Sequence, residues 1–167
     1  MKLIKYPVRY VPHSLSNKDE SKQLSMLAKS KRLYKKGRFF TRKQLPSYKH
    51  KKSNHLSNAR KIYGVDNISP NAELVKKTGC SLSALKQIVK KGEGAYYSSG
   101  SRPNQTPQSW GLARLASSLT AGKADAIDYD IIDKGCKHNM TAFRLAEKSK
   151  RKYKFGHSKT RKRVFHS

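Results

Sequence analysis

The residues best equipped for chemistry are cations set among aromatics. Lys29, Lys31, Arg32, Lys35, Lys36, Arg38, Arg42 and Lys43 fall between positions 29 and 43. That stretch contains no acid and also holds Tyr34, Phe39 and Phe40. Cations at this density neutralise phosphates and release counter-ions, while aromatic rings stack or anchor. A second run, Lys148 to Arg163, repeats the pattern, with Arg151, Lys152, Arg161, Lys162 and Arg163 as the candidate contacts. The expected chemistry is binding to a polyanion or an acidic partner.

Two other segments present polar groups in a suggestive order. Glu73 to Ile88 reads as two short helices joined by Thr78-Gly79-Cys80-Ser81, a helix-turn-helix pattern. If the second helix entered a major groove, Lys86 and Gln87, with Ser81 and Ser83, would face the bases. A hairpin that only builds the core fits the same spacing. The Gly/Ser-rich stretch 92–106 reads as a loop. It either presents backbone N–H groups and Arg102 to a phosphate, or packs Tyr96 and Tyr97 against helices. It lacks the Gly-Lys-Ser/Thr ending of a phosphate-binding P-loop.

Support for catalysis is thin, and no enzyme activity, metal or cofactor is expected. Asp125, Asp128, Asp130 and Asp133 cluster without the spacing of a calcium loop, and no nucleophile or paired histidine accompanies them. They read as a salt-bridging surface for the basic arms. The six histidines lie mostly among lysines and read as solvated. Cys80 and Cys136 permit one bridge at most, and the expectation is two reduced thiols. Cys136-Lys137-His138 has no second ligand pair at zinc spacing.

The elements that position these residues follow from the charge distribution. Net charge is +28 on 167 residues. Residues 1–63 carry 18 Lys/Arg against 2 acids, residues 64–139 carry 10 against 7, and residues 140–167 carry 10 against 1. The division expected is a basic N-terminal extension (1–63), a compact helical domain (64–139) and a basic C-terminal helix and tail (140–167). The fold class is mainly α: a small helical domain with long basic irregular extensions. A field of one sign calls for an acidic partner. No apolar run approaches the ~18 residues of a membrane span, and no signal-peptide apolar region follows Met1.

Local punctuation sharpens this plan. Pro7 and Pro12 mark residues 1–15 as an extended strap. Ser16 caps a helix to about Lys36 with Leu24, Leu27, Ala28 and Tyr34 as its stripe, and Gly37 stops it. A short helix spans 53–63 before Gly64. Ser69 caps a helix with Pro70 in its first position, ending at Gly79. Ser81 caps the next, to Lys91. Helices over 110–120 and 142–152 follow, and the final residues have no reason to fold alone. Leu74, Leu82, Leu85, Ile88, Leu115, Leu119, Ile127, Ile132 and Phe143 are among the core candidates.

The stretch Lys91 to Thr106, followed by Ser109-Trp110-Gly111 and Ala113 to Ser117, resembles a domain of unassigned function in large DNA viruses and tailed phages. Tyr6-Pro7-Val8-Arg9-Tyr10, Tyr34-Lys35-Lys36-Gly37 and Thr41-Arg42-Lys43 resemble the small basic versions in algal giant viruses. The resemblance covers most of residues 5–138 and implies a viral setting, with no catalytic residues. The expected function is therefore a virion structural protein, a minor capsid or internal network protein in the inner capsid. Viral capsid proteins would be its partners, with packaged double-stranded DNA contacted through phosphates. A helix-turn-helix-like protein that binds or condenses DNA is the alternative.

Overall fold

The computed structural model describes residues 2–154 and 160–167. Among them are eight helices and one two-stranded sheet, so the chain is mainly α. In order these are β1 (Leu3–Pro7), α1 (Asn17–Tyr34), α2 (His55–Tyr63), α3 (Ala72–Thr78), α4 (Leu82–Ser98), α5 (Pro107–Ser118), α6 (Lys123–Ile127), α7 (Tyr129–Gly135), α8 (Thr141–Tyr153) and β2 (Lys162–His166). Contacts group the chain into two compact units that cut across the charge boundaries. The first comprises the described residues of Met1–Lys51, Gly94–Pro107 and Lys159–Ser167; the second those of Lys52–Glu93 and Gln108–Ser158.

In the first unit the N-terminal strap finds its partner in the C-terminal tail. β1 and β2 pair antiparallel with Leu3 opposite His166 and Pro7 opposite Lys162. Pro7 lacks an N–H and sits at the end of its strand, where that loss is tolerated. The tail was expected to stay unfolded; residues 162–166 fold because β1 supplies their hydrogen bonds, and 155–159 lie outside the described residues. Helix α1 starts as its sequence predicts: Ser16 accepts the Asp19 N–H at 3.2 Å, with Asp19 and Glu20 in the first turn. Its buried face is not the expected stripe. Gln23, Met26, Leu27 and Ser30 point inward at helical spacing, while Ala28 is exposed. Polar Gln23 and Ser30 are accepted there because each bonds a backbone carbonyl, of Tyr10 and Tyr97 respectively.

The second unit holds the larger apolar core. Leu74, Leu85, Ile88, Leu115, Leu119, Ile132, Phe143 and Ala146 are buried there together. Leu82 and Ile127, expected inside, are 39% and 49% exposed. Helix α2 ends at Gly64 as expected. Asn71, not Ser69, caps α3, accepting the Leu74 N–H at 2.8 Å, so Pro70 lies before the helix. Helix α4 runs on through residues expected to be a loop, and reaches Ser98. Gly92 of α4 and Gly111 of α5 follow from packing. A Cβ on Gly92 would lie 2.7 Å from the Gly111 Cα, and one on Gly111 would lie 2.8 Å from the Val89 carbonyl oxygen. Helices α4 and α5 therefore touch backbone to backbone at these two positions.

The cysteines also depart from expectation: Cys80 and Cys136 form a disulfide, with Cα atoms 3.8 Å apart. They lie on short extended segments that pair antiparallel. The Ser81 N–H donates to the Gly135 carbonyl at 2.7 Å and the Lys137 N–H to the Gly79 carbonyl at 2.9 Å. Gly79 caps α3 at φ 75°, a conformation only glycine adopts without strain.

Candidate polyanion-binding site

The cationic run of the first unit divides into an interior residue and a surface. Lys29, Lys31, Arg32, Lys35, Lys36, Arg38 and Lys43 are exposed. Arg42, expected among the contacts, is buried instead. Its Nη1 donates to the Tyr96 carbonyl at 2.8 Å and to Ser30 Oγ at 3.1 Å. Its Nη2 donates to Ser101 Oγ at 2.8 Å, and its guanidinium lies 3.8 Å from the Tyr96 ring centroid. The Arg42 backbone N–H donates to the Tyr96 hydroxyl at 2.9 Å. Burial pulls the guanidinium below its ordinary pKa, and the neighbouring tyrosines oppose that shift. The planar fork reaches three acceptors while stacking on the Tyr96 ring, a geometry that a compact ammonium does not reproduce. Arg42 is structural.

Around this interior residue the surface is aromatic as well as cationic. Tyr34 stacks on Tyr97 with ring centroids 6.0 Å apart, and Phe39 packs on both at 6.1 and 5.1 Å. Phe39 is nevertheless 70% exposed. Lys35, Lys36 and Arg38 separate Tyr34 from Phe39 in the chain, and Lys29 Nζ lies 4.4 Å from the Phe40 ring centroid. A large exposed ring held by two others, beside cations without an acid between them, has the composition of a stacking and phosphate-contacting surface.

The Gly/Ser/Arg segment has a structural task here. Its first part is helical, and its remainder ties residues 42–48 in place. Ser101 accepts from Arg42 and donates to the Arg102 carbonyl at 2.8 Å. Asn104, at φ 62°, accepts the Leu45 N–H at 2.7 Å and donates to the Leu45 carbonyl at 3.3 Å. Ser47 then bonds Asp19: its N–H reaches the carboxylate at 2.9 Å, and its hydroxyl donates to the same oxygen. These bonds hold the Asp19 carboxyl below its ordinary pKa.

These ties frame an open cavity of about 390 Å³ in the first unit. It is lined by the cations Arg9, Lys49, Lys51, Arg102 and Arg161, by the hydroxyl residues Ser14, Tyr48 and Thr160, and by Val8 and Pro12. No acid lines it. Arg102 and Arg161 were expected as contacts; Arg9, Lys49 and Lys51 were not singled out. The one sequence signal for Lys49 and Lys51 was the cationic run after Pro46, which lacks periodicity, and Arg9 stands alone between Val8 and Tyr10.

The other sequence candidates are dispersed. Lys162 is exposed on β2. Arg163 turns inward to Glu20 at 2.8 Å and donates to the Val11 carbonyl at 2.8 Å, so it ties the two ends of the chain instead of offering a cation. In the second unit Arg151 and Lys152 are exposed near the end of α8, with Lys152 Nζ 5.1 Å from the Tyr153 ring centroid. Lys86 and Gln87 are exposed on α4, where Gln87 donates to Ser83 Oγ at 3.1 Å.

The aspartates do not form one surface. Asp128 is buried and accepts Arg114 Nε at 3.0 Å, Arg114 Nη2 at 2.7 Å and Ser118 Oγ at 2.7 Å, with Lys91 Nζ at 3.2 Å. Asp125 is also buried; burial above all, opposed by the Ala121 N–H and reinforced by Asp128, pushes its carboxyl up to about 8. Asp133 faces His138 at 3.2 Å, and the His138 ring stacks on Phe143. Among the described residues no group of three or more His, Cys, Asp or Glu is placed to hold a metal ion. No helix among them is long and apolar enough to cross a membrane.

Fold and site together define a mainly α basic protein whose cations lie partly on an aromatic surface and partly around an acid-free cavity. The chain belongs to the family of unknown function DUF5824, whose model matches residues 7–141. No curated protein and no solved structure matches it.

Proposed function

We propose that this chain is a virion structural protein, a minor capsid or internal network protein of a large DNA virus, that contacts neighbouring capsid proteins and the phosphates of packaged DNA. The observation that carries the polyanion contact is the exposed run at 29–43: every cation in it except Arg42 faces solvent, and Phe39 stands 70% exposed among them. An exposed ring set among cations suits base stacking while the cations meet phosphates. The viral setting rests on the resemblance of residues 5–138 to proteins of large DNA viruses and phages.

Cross-linking mass spectrometry of purified particles tests the virion role. Cross-links from Lys29–Lys52 to capsid proteins at fixed stoichiometry are expected, and absence from the particle would overturn it. A salt titration tests the DNA contact. Neutralising Z phosphates gives a log–log slope of about −0.9Z, and Lys35→Gln/Lys36→Gln/Arg38→Gln should make that slope shallower by about 3 if each contacts one phosphate.

A second reading, a helix-turn-helix DNA-binding protein, is favoured by one observation. Helices α3 and α4 form around the expected turn and leave Ser83, Lys86 and Gln87 exposed. A sequence preference that survives moderate salt and is lost in Gln87→Ala would promote it.

A further inference from the structure

The cavity lined by Arg9, Lys49, Lys51, Arg102 and Arg161 holds five cations and no carboxylate. Elsewhere Arg163 is paired with Glu20, and Arg114 and Lys91 with Asp128. Arg9, Lys49, Lys51 and Arg161 are exposed and Arg102 is half-buried, and like charges gathered at one concavity raise a positive potential that favours an anion there.

The backbone under these side chains is fixed. The Val8 N–H donates to the Arg161 carbonyl at 3.0 Å. Ser101 holds the Arg102 carbonyl, and the Tyr48 N–H donates to the Leu45 carbonyl at 3.1 Å, on the segment that Asn104 clamps. Four separate stretches of the chain are thus tied around one cavity, and each brings at least one cation to its lining. Ser14, Tyr48 and Thr160 add hydroxyl groups to the lining.

We propose that this cavity binds a small molecule carrying several phosphate groups, one per chain. Size and charge both select that class. About 390 Å³ lies within the roughly 300–1,000 Å³ of small-molecule pockets. A single phosphate monoester, at about −1.5 to −2, leaves most of five positive charges unmatched, whereas three or more phosphates balance them. Two of the five cations are arginines beyond the chain's N-terminal third, Arg102 and Arg161, whose planar forks suit phosphate oxygens. The site is separate from the exposed run at 29–43, which shares no residue with the cavity lining.

The test is calorimetric titration of the full chain with inositol hexakisphosphate, inorganic phosphate and a short DNA duplex at 0.15 M salt. Inositol hexakisphosphate should bind at one per chain, at least 100-fold more tightly than inorganic phosphate. Arg102→Gln and, separately, the exposed Lys49→Gln should each weaken it about tenfold or more. Arg60→Gln/Lys61→Gln, an equal or larger charge loss on exposed α2 positions, should leave it within about threefold. Circular dichroism confirms that each variant is folded, and Lys49→Gln carries the test if Arg102→Gln is not. Equal loss in the α2 variant, several unsaturated equivalents, or no preference over inorganic phosphate would each overturn the proposal. DNA binding that persists while hexakisphosphate binding fails would sink the cavity reading and leave the surface reading standing; the reverse outcome would do the opposite.

Discussion

Arg42 and Tyr96 hold each other from both ends: the guanidinium lies 3.8 Å from the ring centroid and donates to the Tyr96 carbonyl at 2.8 Å, while the Tyr96 hydroxyl accepts the Arg42 backbone N–H at 2.9 Å. Removing the arginine strands the Tyr96 carbonyl and removes a donor from Ser30 and Ser101. Arg42→Met should cost about 1–3 kcal/mol in urea unfolding, in the range for leaving a buried acceptor without its donor. Tyr96→Phe should cost about 1–3 kcal/mol by leaving the Arg42 N–H without its acceptor. Neither change should act through DNA contact, so a folded Arg42→Met should keep the wild-type salt slope, and a slope shallower by about 1 would count against a purely structural role.

Two glycines of α4 should respond oppositely to the same substitution. A Cβ at Gly92 would meet the Gly111 Cα at 2.7 Å, whereas one at Gly94 would meet only the Tyr34 hydroxyl, at 3.4 Å. Gly92→Ala forces backbone apart and should destabilise by about 1–3 kcal/mol. Gly94→Ala should be neutral or stabilise by up to about 1 kcal/mol through helix propensity. Thermal unfolding of the two variants side by side checks the contrast, and equal effects would contradict the close helix approach.

Asp125 makes stability fall as pH rises. Its folded carboxyl titrates at about 8, well above the unfolded value near 3.8. Below pH 4 both states are protonated and no penalty exists. Between pH 4 and 8 the unfolded chain releases a proton that the folded chain keeps, so stability declines across that window and levels off above it. The loss is on the order of a few kcal/mol. Asp125→Asn retains an acceptor for the Ala121 N–H and should flatten the profile between pH 5 and 8, measured by urea unfolding at several pH values.

The Cys80–Cys136 bridge spans a sequence separation of 56 residues. Closing a loop of that length contributes about 2–5 kcal/mol. Reductant should lower the thermal midpoint of the wild type and leave Cys80→Ser/Cys136→Ser unmoved. Thiol labelling of the denatured, unreduced protein should find no reactive cysteine; two labelled thiols would show that the bridge does not form.

Much of the local structure was readable because its causes are local. Ser16 caps α1 and Gly64 stops α2 within a few residues of the groups they satisfy. The helical pair around Gly79 follows from that glycine's left-handed turn. Helix α4 ran past its expected end because Gly92 and Gly94 read as breakers. In fact Gly92 is there for the contact with Gly111, a partner nearly twenty positions away. Likewise β2 could not be read from Lys162–His166, since its pairing partner lies at the other end of the chain.

The sequence by itself determined the net charge, the acid-free aromatic run, the mainly α class and the helix ends at Ser16, Gly64 and Gly79, because these depend on composition and on neighbours within a turn or two. Tertiary structure alone decided which cations are available. Arg42 and Arg163 look like their neighbours in the chain, yet one is enclosed by Ser30, Tyr96 and Ser101 and the other paired with Glu20. Arg9, Lys49, Lys51, Arg102 and Arg161, far apart in sequence, surround one cavity. Burial and convergence depend on long-range hydrogen bonds that close the chain on itself, and no local pattern encodes where those bonds will place a charge.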